Sequence, residues 1–429
     1  MNENLNEVIR DYWTMKLPPL KARDTDIQLK SDLISDIIGP RRAGKTYMLF
    51  GTAAKLPRKT TIYINFENRR LANVDGNIFN DIVEFIHSEK LMELHPRILL
   101  FLDEVQRIRG WERYVRSIQD EFKGHIKIFV TGSSSELLAS DAAKLLTGRH
   151  LTTLVLPLSF QEFLAFREFN ADPQTERGRV LMGKELDEFV HRGGYPEVAV
   201  SEDWQKLLNQ LYDDVLSRDV ITRSGHRGAH IIREFSDYLM ANTGNLLSFS
   251  KMSKYLASRD IHITTPTLIK YFGMLKSAYI CFDVTIHSAK IRDRMKYPRK
   301  IYAFDSGFAS ITGEAGLGRL YENTVAVELL RRGHEPRYWK DRAGYEVDFV
   351  VGRTRKTEAI QVCYDLSDPD VRKRELRGLE RCMDELEISE GLVITRDEEG
   401  TADAGGRTVR IVPLWKWLGN LITAIKSFT

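Results

Sequence analysis

A chain of 429 residues is too long for one ordinary hydrophobic core, so two or three domains are expected. Its 42% hydrophobic and 29% charged residues describe a globular protein, and a net charge of only +3 excludes a global nucleic-acid footprint, leaving local basic surfaces. The three cysteines, Cys281, Cys363 and Cys382, have no metal-ligand spacing. No apolar stretch approaches the ~18 residues of a membrane span, so a cytoplasmic protein without a membrane partner is expected.

The first predicted strand, 33–38, feeds Gly39, Pro40, Arg41, Arg42, Ala43, Gly44, Lys45 and Thr46. This octapeptide fits the phosphate-loop pattern G-x-x-x-x-G-K-[ST], and 45–54 reads as the helix leaving it. Gly39 and Gly44 let successive backbone N–H groups turn toward phosphate oxygens, and the helix N-terminus adds its positive end. Lys45 is expected to reach the β- and γ-phosphates, and the Thr46 hydroxyl to ligate Mg²⁺. Tyr47 follows directly and joins the nucleotide-binding set. Arg41 and Arg42 either touch phosphate or point to solvent.

A strand over 61–66 and a helix over 78–91 come next. The apolar run 97–102 then reads as a buried parallel strand and ends in Asp103 and Glu104. Ligands of doubly wound sheets sit at the carboxyl ends of strands. Asp103 is therefore the candidate Mg²⁺ carboxylate, acting through a water. Glu104 is the candidate that orients or deprotonates an attacking water. A helix over 111–122 and a strand over 126–130 lead to Thr131, Gly132 and Ser133–Ser135, whose hydroxyls sense the γ-phosphate, cap a following helix, or both. A strand over 151–156 completes the βαβ rhythm of a parallel sheet covered on both faces.

Residues 159–278 are mainly helical in pattern, with breaks at 193–196 and at Gly244. Within them 250–258 and a helix opened by Thr264, Thr265 and Pro266 read as helix, turn, helix, with Leu268, Tyr271, Phe272 and Leu275 on one face. This fits a winged helix. Lys270 and Lys276, and the basic run from Lys290 to Lys300 with Asp293 as its one acid, either grip DNA phosphates or form a solvated or interdomain surface. Strands return over 279–284, 301–304, 345–351, 358–364 and 391–394, with helices over 322–332 and 370–385, as in a second α/β domain.

Together these pieces resemble the prokaryotic, notably archaeal, AAA-type ATPases that carry a C-terminal domain of unknown function with a degenerate restriction-endonuclease-like fold. The matching residues run nearly end to end. They are the phosphate loop, Leu-Asp-Glu-Val-Gln at 102–106, Thr-Gly-Ser-Ser at 131–134, Leu-Thr-Gly-Arg at 146–149 and Pro-Leu-Ser-Phe-Gln-Glu-Phe at 157–163. Gly-Gly-Tyr-Pro-Glu at 193–197, Arg-Asp at 218–219, Tyr-Ala-Phe-Asp-Ser-Gly at 302–307 and Glu-Val-Asp-Phe at 346–349 complete them. The resemblance implies a P-loop NTPase core over 1–157, a helical lid and winged-helix region over 158–278 and a restriction-endonuclease-like α/β domain over 279–429. It implies ATP and Mg²⁺ as ligands, ATP hydrolysis as the activity and self-assembly in rings. It also implies that Arg149 lies near the nucleotide or a neighbouring subunit, with Arg149 and Arg218 as candidate transition-state cations.

In restriction-type nucleases a strand carboxylate is followed by an acid-x-Lys triplet. Here Glu328 and Asp348 are the carboxylates, but Gln361 stands where the acid belongs and Cys363 where the lysine belongs. The expectation is a retained fold with its nuclease chemistry lost. A DNA-binding regulator switched by ATP, and an ATP-gated nuclease, are the rival readings.

Overall fold

The computed structural model describes residues 2–25, 27–132, 148–225, 228–352 and 357–419. They form two compact units, Met1–Leu156 and Pro157–Thr429.

The first unit is built on five parallel strands: β1 (Ile34–Ile38), β2 (Thr61–Asn65), β3 (Ile98–Asp103), β4 (Ile126–Gly132) and β5 (His150–Leu154). Their order is β2-β3-β4-β1-β5. The central strands β1, β3 and β4 are buried along their whole length, and β3 reads accordingly as an unbroken apolar run up to Asp103. Period-2 alternation divides their side chains between two cores. Ile34, Ile38, Leu100, Leu102 and Val130 face one, and Ile37, Leu99, Phe101 and Phe129 face the other. Insertion of β4 between β1 and β3 sets the end of β4 between the phosphate loop and the Asp103 carboxylate.

Helix Glu3–Thr14, absent from the sequence reading, covers the first core with Leu5, Val8 and Ile9 and sends Tyr12 into the second. That spacing is one helical stripe. Asn2 caps it by accepting from Leu5 N at 3.2 Å. Trp13 Nε1 donates to the Thr61 carbonyl at 2.9 Å, anchoring the helix beside β2.

The second unit begins with helices Phe160–Phe166, Glu176–Arg192, Pro196–Val200, Trp204–Val215 and Ala229–Ala241. Next come β6 (Leu246–Leu247), helices Phe249–Ala257 and Thr265–Ser277, β7 (Cys281–Ile286) and β8 (Arg299–Ala303). Thr264 is the N-cap, as expected, accepting from Thr267 N at 3.4 Å. Leu268, Phe272 and Leu275 are buried. Three helices, a short strand and a β7–β8 hairpin make a winged helix whose wing is the hairpin tip.

The remaining strands are β9 (Arg337–Lys340), β10 (Glu346–Val351), β11 (Glu358–Val362), β12 (Glu390–Thr395), β13 (Gly400–Ala404) and β14 (Arg407–Pro413). The nine strands form one sheet in the order β13-β14-β12-β11-β10-β9-β7-β8-β6. The sequence reading placed a domain boundary at 278–279, but the sheet is continuous past it. Pairing of Leu246 with Lys300 and of Leu247 with Arg299 carries the sheet across that point, and pairing of Thr285 with Arg337 joins the wing hairpin to the later strands.

Three sequence motifs with no assigned chemistry meet at one joint in this unit. Leu158 N donates to the Gly194 carbonyl at 2.6 Å. Asp305 accepts from Gly194 N at 2.8 Å and from Gly307 N at 3.0 Å. Burial pushes the Asp305 carboxyl up to about 7, opposed by those two backbone donors. Gly193 has φ 76°, and a Cβ there would lie 1.6 Å from Asp305 Oδ1. Gly193→Ala is therefore expected to destabilise the chain by about 2–4 kcal/mol, through both the φ and the overlap. A wild-type thermal melting curve for this variant would show that the joint yields without cost.

Candidate nucleotide site

The phosphate loop bends where β1 ends. A Cβ at Gly39 would sit 2.1 Å from the Val155 carbonyl oxygen, so no larger residue fits the turn. Gly44 is the N-cap of helix Lys45–Ala53, and Ala43 and Pro40 are buried. Lys45 is 6% exposed, and its Nζ donates to the carbonyls of Gly39 at 2.9 Å and Pro40 at 2.8 Å. The ammonium is thus held over the loop that is to receive phosphate.

Asp103, at the end of β3, gathers three hydroxyls. Thr46 Oγ1 donates to its Oδ2 at 2.8 Å, and the Tyr63 hydroxyl donates to the same oxygen at 2.7 Å. Thr131 Oγ1 donates to Oδ1 and accepts from Glu104 N at 3.1 Å. Burial first, then the Asp103 carboxylate, push the Tyr63 phenol far above its ordinary value, so it remains a donor. Thr46 and Asp103 offer adjacent hard oxygens, the donor set that Mg²⁺ takes in phosphate-loop enzymes.

Glu104 takes a left-handed backbone conformation, φ 54° and ψ 43°, which costs a non-glycine residue about 1–3 kcal/mol. Its carboxylate accepts from Gln106 Nε2 at 2.6 Å. The strained turn just past the end of β3 sets this carboxylate within reach of Gln106.

Arg41 lies 3.8 Å from Glu67, which also pairs with Arg107, and Arg42 is exposed with φ 64°. Tyr47 is 54% exposed, on the rim of a cavity of about 510 Å³ lined by Leu20, Arg23, Thr25, Met48 and Thr52. Arg23 donates to the carbonyls of Ala43 at 2.7 Å and Leu156 at 2.8 Å, pinning the loop from outside. Ser133 lies outside the described residues. Sequence reasoning missed Tyr63 and Arg23, whose partners lie far away in the chain, and Gln106, whose partner Glu104 is two residues away. Only the position of Tyr63, two residues before the end of β2, gave a signal.

Of the two places expected for Arg149, beside the nucleotide or beside a neighbouring subunit, the structure removes its own nucleotide site. Arg149 pairs with Asp120, and its carbonyl accepts from Ile34 N at 2.9 Å, at the start of β1. The phosphate loop leaves the other end of that strand, roughly 13 Å away at 3.3 Å per residue. Parallel pairing of β1 with β5 forces this separation, so Arg149 is not beside its own nucleotide site. Arg218 is exposed in the π-helical turn Leu216–Ile221 of the second unit.

The DNA-contact candidates divide. Lys270 is exposed on helix Thr265–Ser277. Lys276 pairs with Asp283 and lies over the Phe272 ring, and Arg299 binds Asp283 at 2.7 Å, so neither reaches outward as expected. Lys300 is 3% exposed, with Nζ at 2.8 Å from Asp348, 2.8 Å from Glu346 and 3.0 Å from Glu322. Burial alone would lower its pKa, but those carboxylates and Tyr302 hold it well above the ordinary value. Period-2 alternation along β8 turns this end of the basic run inward.

The same cluster corrects the restriction-type alignment. Glu328 binds Arg331 and Arg332, at 3.0 and 2.9 Å, and Glu322 is the helix carboxylate that shares Lys300 with Asp348. Gln361 accepts from Asp348 N at 3.2 Å and donates to Glu375 at 2.7 Å. Cys363 is buried and donates its thiol to the Asp365 carbonyl at 3.2 Å. An ammonium is present beside Asp348, from β8 rather than from position 363.

A family model described as an AAA domain matches residues 31–164. Two domains of unknown function, DUF8612 and DUF4143, match residues 183–315 and 317–417. The uncharacterized protein MJ1544 of Methanocaldococcus jannaschii is 34% identical over 428 residues, covering 96% of this chain and 94% of its own. The chain belongs to the archaeal-type AAA ATPases with C-terminal domains of unknown function. An uncharacterized Haemophilus influenzae protein is 28% identical to this AAA protein, over 80% of this chain and 85% of its own. Among solved structures, Aeropyrum pernix ORC1 in complex with DNA is 14% identical with a TM-score of 0.28, over 77% of this chain and 93% of its own. That overlap is too low to carry an argument. Among the described residues, no helix is long and apolar enough to cross a membrane.

Proposed function

We propose that this chain binds ATP with Mg²⁺, hydrolyses it to ADP and phosphate, and uses the change of nucleotide state to move its C-terminal unit. The observation that carries this reading is the convergence of Thr46, Tyr63 and Thr131 on Asp103, with Glu104 strained beside it. Thr46 and Asp103 would hold Mg²⁺, which neutralises charge on the β- and γ-phosphate oxygens. Lys45 exchanges its bonds to the Gly39 and Pro40 carbonyls for phosphate oxygens. Glu104 takes a proton from the attacking water, and Gln106 holds its carboxylate until then. The cavity beneath Tyr47 takes the base.

Because Arg149 stands away from its own site, it serves as a transition-state cation only across a contact between copies of the chain; Arg218 is the other candidate. Phosphate release is expected with Mg²⁺ and only at background level with EDTA, and specific activity is expected to fall on dilution. Metal-independent turnover would refute the site reading, and constant specific activity on dilution would remove the arginine in trans.

A second reading adds nucleic acid as a partner. It is favoured by the winged-helix arrangement, with Lys290, Arg292 and Lys296 exposed on the six-residue wing helix Ile291–Lys296 and its N-cap. On this reading the protein is a nucleic-acid-binding AAA ATPase, and negligible turnover would make it an ATP-switched regulator. Gln361 and Cys363 give no support to DNA cleavage.

A further inference from the structure

The wing has a second basic feature at its root. His287 and Ser288 follow β7, and Gly333, His334 and Glu335 precede β9. Between these segments lies a cavity of about 480 Å³, lined by His287, Ser288, Arg294, His334, Glu335 and Arg337. Two guanidinium groups and two imidazoles thus face one carboxylate. That carboxylate, Glu335, has a side chain 77% exposed and stands 3.5 Å from Arg337.

The cleft is fixed in place by bonds within the chain, one of them to the Asp293 carboxylate beside it. Arg337 Nη1 donates to Thr285 Oγ1 on β7, which holds the guanidinium at the cavity wall. His287 N donates to the Tyr338 carbonyl at 2.6 Å, and Ser288 Oγ donates to Asp293 at 3.0 Å. The excess of positive charge is felt by both imidazoles. Burial first, then Arg337 and Arg294 against Glu385, lower His287, and burial first, then Arg332 against Glu358, lower His334. An anion entering the cleft relieves that repulsion, and guanidinium forks match phosphate oxygens.

We propose that this cleft binds a phosphodiester of a nucleic-acid backbone, with Arg294 and Arg337 holding the oxygens and His287 and His334 donating N–H groups. Continuity of charge selects a polymer over a single phosphate. Arg294 belongs to the wing helix, and the exposed Lys290, Arg292 and Lys296 on the same segment extend the row of cations beyond the cleft. A row of this kind fits successive phosphates. The inference rests on the nucleic-acid reading of the wing and adds a specific grip to it.

The test is fluorescence anisotropy of the full chain with a labelled short duplex DNA at several salt concentrations, from about 50 to 200 mM. Wild type is expected to bind, more weakly as salt rises. Arg294→Ala with His334→Ala is expected to bind about tenfold more weakly, with a salt slope smaller by about 1, and Arg294→Lys to recover most of the loss. Circular dichroism melting checks that the variants fold, and the single Arg294→Ala, on a helix with no buried residue, replaces the double variant if that one does not. Wild-type affinity in the cleft variants, together with loss in Lys290→Ala/Arg292→Ala/Lys296→Ala, would overturn the cleft while the wing reading stands. No binding of wild type to duplex or single-stranded DNA at the lowest salt would overturn both. Binding to phosphatidylglycerol vesicles without binding to DNA would reassign the cleft to lipid headgroups and overturn the proposal.

Discussion

Glu104→Gln is expected to lower ATP turnover about 10²–10⁴-fold while leaving ATP affinity within a few-fold. The amide keeps the size of the carboxylate, and the φ 54° backbone is set by the turn after β3 rather than by the side-chain charge. Thr46, Asp103 and Lys45 are untouched, so the phosphate and metal contacts survive. What is lost is the group that accepts the water proton. The Gln106 amide now faces another amide in place of a carboxylate, a change expected to cost little because Glu104 is only partly buried. Single-turnover phosphate release, set beside equilibrium binding of a fluorescent ATP analogue, separates the two quantities. Turnover within threefold of wild type would remove Glu104 from the role of base.

Lys45→Ala is expected to abolish tight ATP binding, a loss of about 3–4 kcal/mol or roughly two to three orders of magnitude in affinity. The ammonium is nearly buried over the loop, so no surface cation replaces it at the same place. Alanine also leaves the Gly39 and Pro40 carbonyls without their lysine donor, which loosens the loop before any ligand arrives. Calorimetric titration with ATP and Mg²⁺ gives the affinity directly. The pair of variants is diagnostic: equal loss of affinity in Glu104→Gln and Lys45→Ala would mean that the two residues do not divide binding from chemistry.

The nucleotide site was legible from the sequence to the extent that its geometry is local. Gly39 and Gly44, a lysine and a threonine in fixed spacing, and a buried strand ending in Asp103 and Glu104 are written within a few residues of one another. Strand burial then carries both segments to the same edge of the sheet. The structure describes Asp103 and Glu104 beside Thr46 and Thr131, as that reading requires. Helix Glu3–Thr14 is also legible, in the spacing of Leu5, Val8, Ile9 and Tyr12. Strands β9 and β13 offered less: β9 has four residues, and β13 has only Ala404 buried.

Side-chain partners far apart in the chain were not legible. Tyr63 reaches Asp103 across 40 residues because β2 lies beside β3 in register. Arg149 is held away from the phosphate loop because β5 runs parallel to β1. Counting charge along 290–300 gave one basic surface, whereas the folded chain divides it. Arg294 faces a cleft, Arg299 pairs with Asp283, and Lys300 turns inward to Glu322, Glu346 and Asp348. The sequence by itself determined the phosphate-loop motif, the strand-end carboxylate Asp103 and the parallel α/β core, because turn conformation and strand burial depend on neighbouring residues. Only the tertiary structure decided which hydroxyls hold Asp103, which carboxylates hold Lys300 and which cations remain at the surface. Those choices depend on strand order and register, and a shift of one residue would turn the strand-borne side chains among them, Tyr63, Asp103 and Lys300, to the opposite face.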